Sequence, residues 1–218
     1  MLNTQLILIE GLPGAGKSTS TSHLGTILQQ RGITCSWFRE ENESHPIACL
    51  DFEIKGMTPK MVHLWTNFVQ QTAPKSIVTI IESRLWQNTA LFMHMSENDI
   101  DDIIKFNKQI NQVLTPLSPV LIYLDQDNIE TALQRMYNTR GEEWMKETLK
   151  DTLQYQWFKS RGIKDFAGWV NFFEDWHDVA ERLYTDWTHK KIKIMNPHDD
   201  WTSAYEKMYT FLEVAHNP

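Results

Sequence analysis

The stretch Gly11-Leu12-Pro13-Gly14-Ala15-Gly16-Lys17-Ser18-Thr19 fits the spacing G-x-x-x-x-G-K-[ST]. Glycines at those intervals let a backbone adopt conformations closed to other residues and bring its N–H groups close to anionic oxygens. A helix starting at the end of such a loop adds positive partial charge. Lys17 is then placed to reach the β- and γ-phosphates of a nucleotide, and the Ser18 hydroxyl to complete a Mg²⁺ shell otherwise filled by water and phosphate. The chemistry predicted here is nucleotide binding.

A phosphate loop alone does not separate phosphoryl transfer from hydrolysis or sensing. Further along, the apolar run Ile77–Ile81 ends in Glu82-Ser83-Arg84, which puts a carboxylate at the C-terminal edge of a strand. In open α/β sheets that edge faces the ligand crevice. Glu82 there can hold Mg²⁺ through water or take a proton from an attacking hydroxyl. Arg84 can clamp an anionic group or pair with Glu82. The segment Arg135-Met136-Tyr137-Asn138-Thr139-Arg140-Gly141-Glu142-Glu143 offers two guanidiniums to close over the donor phosphates and stabilise a loose transition state. A competing reading makes Arg140 a cation in a helix's last turn and Gly141 its terminator. Arg39, Glu40 and Glu41 follow the second strand and form a candidate acceptor wall; a solvated charged loop is the alternative. A phosphate acceptor wants guanidinium clamps, whereas a hydroxyl acceptor wants a base. Glu82 favours a hydroxyl, Arg39 and Arg84 an anion, and the sequence leaves the choice open.

The elements that must hold these residues are legible as apolar runs at Gln5–Glu10, Ile33–Phe38, Ile77–Glu82, Val120–Leu124 and Lys191–Met195. Helix-period segments lie between them, which predicts right-handed crossovers and a parallel sheet covered on both faces. Thr19–Gln30 reads as the helix after the loop. Ser96 with Asp99 predicts a capped helix that Pro116 and Pro119 stop, and Asp127 with Glu130 a second capping box. The apolar spacing from Phe166 to Trp187 predicts one long helix. Most of the nine tryptophans read as core, with Trp144 and Trp157 the better candidates for stacking on a planar substrate.

With 218 residues and no linker, repeat or low-complexity segment, residues 1–218 are expected to form a single domain. No apolar run approaches the roughly 20 residues of a membrane span, and a signal-peptide core is not expected. Two cysteines without a framework point to reducing cytoplasm. Eight scattered histidines argue against a protein-built metal centre. The formal charge of −7, from 28 acids against 21 bases, argues against a nucleic acid polymer as partner and for a small-molecule acceptor. The oligomeric state is left open, a dimer included.

Phosphate loop, carboxylate-ended strand, arginine-bearing segment and final strand occur in an order that resembles the nucleoside and nucleotide kinases among P-loop proteins, thymidylate kinases and deoxyribonucleoside kinases above all. That group carries an Asp-Arg or Glu-Arg-Ser signature after the third strand, where this chain has Glu82-Ser83-Arg84. Its lid is similar to Arg135-x-x-x-x-Arg140-Gly141-Glu142-Glu143 but richer in arginine. The resemblance implies a three-layer α/β P-loop NTPase fold with a five-stranded parallel sheet and a helical lid at about residues 135–160. It also implies ATP with Mg²⁺ as donor and cofactor; Asn107-Lys108-Gln109-Ile110 does not supply the guanine-reading element of a GTPase. Arg135 and Arg140 take the role of transition-state stabilisers, and the loop Asn196–Asp200 lies against adenine unless it only caps the last helix. A nucleoside or nucleoside monophosphate is the implied acceptor. Another hydroxyl metabolite, an antibiotic, or an ATPase or switch without an acceptor are the alternatives.

Overall fold

A computed structural model of the chain describes residues 2–42, 44–47 and 57–214. Five strands, β1 (Leu6–Gly11), β2 (Cys35–Phe38), β3 (Val78–Glu82), β4 (Val120–Asp125) and β5 (Lys190–Met195), form one sheet in the order β2-β3-β1-β4-β5. Every neighbouring pair is parallel. The three-layer α/β fold expected from the alternating runs is the one observed. Cys49 lies outside the described residues.

Alternation along β1 divides the core. Leu6 and Leu8 point into one apolar layer with Ile81, Leu121 and Tyr123, while Ile7 and Ile9 point into the other with Val78, Ile80, Ile122 and Ile194. The second layer is closed by α1 (Lys17–Gln30), through Leu24 and Leu28, and by α9 (Trp201–Leu212), through Ala204, Met208 and Leu212. The first is thicker and aromatic. It takes in Trp65 and Phe68 of α2 (Met57–Thr72), Met93 of α3 (Leu91–Met95) and Phe106 of α4 (Ile100–Leu114). The stripe Trp169, Phe172, Phe173, Trp176 comes from α8 (Phe166–Asp186), a single helix as its spacing predicts. Three shorter helices, α5 (Ile129–Arg140), α6 (Glu142–Thr152) and α7 (Gln156–Arg161), carry the chain from β4 to α8.

Two capping expectations shift. Asp99 caps α4, accepting from Asp101 N at 2.9 Å, but the Ser96 hydroxyl donates backwards to Phe92 O at 2.7 Å, because α3 has just ended there. Asn128, not Asp127, caps α5 by accepting from Thr131 N at 2.8 Å. Asn is as good a cap as Asp, and the strand end sets which one falls at the boundary. The helix before β4 stops at Leu114 and passes through a 3₁₀ turn, Thr115–Leu117, that holds Pro116.

The edge strand β5 is lysine-rich, which opposes pairing with another chain. Lys191 also closes the end of α8, donating to Tyr184 O, Thr185 O and Trp187 O at 2.6, 2.9 and 3.0 Å. These carbonyls lie at the helix end, where Tyr184 O also accepts from Trp187 N at 3.2 Å, and the ammonium suits the negative end of the dipole.

Candidate active site

β1 ends in Gly11 and the chain turns over the sheet edge into α1, so the loop's backbone is aimed at the crevice. Two glycines are forced by what lies behind them. Gly14 and Gly16 have φ of +78° and +91°, and a Cβ on Gly16 would lie 2.2 Å from Trp201 Cη2. On Gly14 it would lie 2.6 Å from Ala132 O. Lys17, buried, donates to Leu12 O at 2.9 Å. Burial pushes its pKa below the ordinary lysine value, against the opposing pull of Glu40, Glu82 and Glu10. His198, in the turn after β5, lies 2.8 Å through Nε2 from Gly14 O, so that nitrogen carries the proton and braces the loop from above.

Glu82 ends β3 beside this loop. Its Oε1 accepts from Ser18 Oγ at 2.8 Å and from Glu40 N at 3.1 Å, while its Oε2 is buried with no hydrogen-bond partner among the described residues. An unpartnered buried carboxylate oxygen next to a loop hydroxyl fits a hydrated Mg²⁺ held between them. Glu40, just beyond β2, is a second carboxylate at the same place. Asn88 donates to its Oε1 at 3.2 Å, and Arg84 holds its backbone carbonyl at 2.5 Å. Burial raises the Glu40 pKa, partly offset by Lys17 and Arg84. The two acids thus differ in setting: Glu82 is buried and bonded to the loop, whereas Glu40 is half-buried and lines the open space.

That space is a cavity of about 620 Å³ running from the phosphate loop between α3, α5, α6 and α8. Pro13, Gly14, Gly16–Thr19, Glu40, Glu41, Glu82, Arg135, Arg140 and His198 line its loop end. The rest of its lining is uncharged and largely apolar: Gln87 and Asn88, Leu91, Phe92 and Met95 of α3, Trp144, Thr148 and Thr152 of α6, and Trp169, Phe172 and Phe173 of α8. Of the residues singled out from the sequence, Arg39 is exposed and Arg84 lies behind Glu40; neither lines the cavity. Arg135 reaches Gln126 Oε1 at 3.5 Å, and Arg140 pairs with Glu41 at 3.0 Å, its guanidinium 5.7 Å from the Trp144 ring. Trp144 lines the cavity. Trp157 does not: it is buried and donates Nε1 to Asp175 at 2.9 Å. Asp200 caps α9, accepting from Ser203 N at 3.0 Å, while His198 of the same turn faces the cavity.

Polar residues of the cavity that sequence reasoning missed include Gln87 and Asn88, whereas His198 lies in the Asn196–Asp200 turn that it singled out. Gln87 and Asn88 lie in a single π turn, Leu85–Ala90, that the apolar pattern around it does not announce. Away from the cavity, Asp125, His177 and Glu181 bring ligand-type atoms within 4.8 Å of one another. Lys193 Nζ lies 3.3 Å from Asp125 Oδ2 and also bonds Glu181, so a side-chain cation already balances their charge.

No protein-family model matches the chain, and no curated protein sequence does. Among solved structures it is similar to a deoxyadenosine kinase from M. mycoides with bound dATP, at 19% identity and a TM-score of 0.53, over 96% of this chain and 99% of that one. It is also similar to a protein described as APE1195, at 11% identity and a TM-score of 0.56, over 99% and 98% of the two chains. At such identities the likeness is one of fold. Phosphate loop, parallel sheet order and helical layers together make this a three-layer α/β P-loop fold.

Proposed function

We propose that the protein is an ATP-dependent phosphotransferase that moves the γ-phosphoryl group to an uncharged hydroxyl acceptor, preferably a nucleoside. The observation that carries this reading is the cavity's mixed lining: loop, cations and carboxylates together with an uncharged, largely aromatic wall from α3, α6 and α8. A phosphate-bearing acceptor would need cations of its own beyond those facing the donor, and among the described residues Arg39 and Arg84 do not line the cavity. The deoxyadenosine kinase likeness favours a nucleoside among hydroxyl compounds.

In this reading the loop amides and Lys17 hold the donor phosphates. Ser18 and Glu82 would hold Mg²⁺, which supplies charge neutralisation at the phosphates when bound. Glu40 accepts the proton of the attacking hydroxyl; burial brings its affinity for a proton closer to what a base needs near neutrality. Arg135 and Arg140 stabilise the charge on the transferring group, Arg140 leaving Glu41 to do so. Leu91, Phe92, Trp144, Trp169 and Phe173 exclude water around a planar acceptor.

The test is a panel of ribo- and deoxyribonucleosides, their monophosphates, sugars and aminoglycosides, each incubated with ATP and Mg²⁺ and followed by ³¹P NMR. Phosphorylation of nucleosides but not monophosphates is expected. Product from a monophosphate would refute the neutral-acceptor reading, and ATP consumption indifferent to every acceptor would make the protein an ATPase or switch.

A further inference from the structure

Glu10 is an acid that no step above uses. It stands one residue before the phosphate loop, on β1, and is 1% exposed. An ionisable side chain is costly to bury in such a place unless bonded. Its Oε1 accepts the N–H of Leu85 at 2.8 Å and its Oε2 that of Gln87 at 3.3 Å. Both amides belong to the first turn of the π turn Leu85–Ala90, where no intrahelical partner exists for them. That turn carries Gln87 and Asn88 to the cavity, and Asn88 donates at once to Ser83 O, at 2.7 Å, and to Glu40 Oε1. Hydrogen bonds at either end of the short backbone stretch Leu85–Asn88 therefore link the root of the phosphate loop to the Glu40 carboxylate.

We infer that Glu10 is a positioning residue: by holding the first turn of Leu85–Ala90 it fixes Asn88, and through Asn88 the Glu40 carboxylate, relative to the phosphate loop. The inference rests on the phosphotransferase reading. Geometry supports a bridge between two half-sites, because the same side chain leaves the donor-binding strand and ends on the acceptor wall. The Glu10 pKa is raised to about 7, with burial the largest influence and the backbone amides and Lys17 opposing it.

Glu10→Gln tests it. The amide keeps the size but can accept only one of the two N–H groups, and its own NH₂ opposes the other. Expected is a fall of about 10- to 100-fold in kcat/KM for the acceptor, with the ATP KM changed less than about threefold. Asn88→Ala should show the same split, and the double variant should be no worse than the poorer single one, since both lie on one path. Glu10→Asp, which keeps the charge but draws it back by one methylene, covers the case in which the glutamine variant does not fold; it should move in the same direction. Loss of ATP affinity in step with acceptor turnover would place Glu10 in service of Lys17 and overturn the inference. So would additive losses in the double variant, or a wild-type acceptor kcat/KM in Glu10→Asp. If the wild-type protein itself shows no acceptor-dependent turnover, the phosphotransferase reading fails and this inference with it. Failure of the variants alone touches only Glu10.

Discussion

Gly16→Ala is the perturbation whose size the structure defines best. The residue has φ +91°, in the left-handed region, and caps the start of α1. Forcing a Cβ into that conformation costs about 1–2 kcal/mol. The added methyl carbon would lie 2.2 Å from Cη2 and 2.7 Å from Cζ2 of Trp201. That indole has little room to retreat, since His198 packs edge-on at 5.0 Å and Tyr205 stacks at 5.4 Å. Overpacking of this kind costs about 1–3 kcal/mol more. The sum, about 2–5 kcal/mol, corresponds to a drop of about 4–20 °C in Tm for a chain of this length. Thermal melts by circular dichroism measure it, with and without ATP analogue. The nucleotide-induced rise in Tm should disappear as well, because the displaced loop no longer presents its amides. Trp201→Leu in the same chain should restore the packing share and leave the backbone share. A Gly16→Ala protein that melts within about 1 °C of wild type and still responds to nucleotide would refute the argument.

Lys17→Ala should abolish phosphoryl transfer and leave Tm close to that of the wild type; unchanged turnover would remove the loop from the chemistry. Glu40→Gln should lower kcat by about two to four orders of magnitude at near-constant ATP affinity, whereas Glu82→Gln should also raise the Mg²⁺ concentration needed for half-maximal rate. Equal metal dependence in the two variants would erase the division of labour between the acids. ATP analogue and acceptor together should protect the stretch 140–150 from limited proteolysis as Arg140 exchanges Glu41 for phosphate, and identical cleavage with and without ligands would count against closure. The hydrogen bond to Asp125, 2.8 Å long, raises the His177 pKa above the ordinary histidine value. Its contribution to stability is therefore complete below that ordinary value and fades as pH rises through the raised one. His177→Gln should lose stability at mildly acid pH and match the wild type at alkaline pH, as read from urea melts across that range.

Sheet and helical layers could be read from the chain because their signals are local. Runs such as Leu6–Gly11 and Val120–Asp125 are apolar on both faces, as strands covered twice must be, and α8 repeats its aromatic stripe without interruption. The phosphate loop and Glu82 were legible for a related reason: each follows directly from a strand end. Charged residues in the stretch after β2 were not separable by sequence. Arg39, Glu40 and Glu41 are adjacent, yet one is exposed, one is half-buried near Lys17, and one pairs with Arg140 from a segment 99 residues away. Only the tertiary arrangement assigns them. Trp157 likewise reads as available for stacking until α8 is folded against it and Asp175 takes its indole N–H. The path through Glu10 was invisible because its partners are backbone amides 75 and 77 residues on, which leave no trace in residue type.

The contact of Trp201 with Gly16 has a consequence for synthesis of the chain. The phosphate loop is translated well before two of its walls, the indole of α9 and the imidazole of His198, which emerge more than 180 residues later. A nascent chain released only through β4 holds three of its strands around β1 but has a glycine loop open on that side. If the loop binds ATP as proposed, capture should wait for α9, and a ribosome-bound fragment ending before Trp201 should retain ATP less well than the chain that includes it.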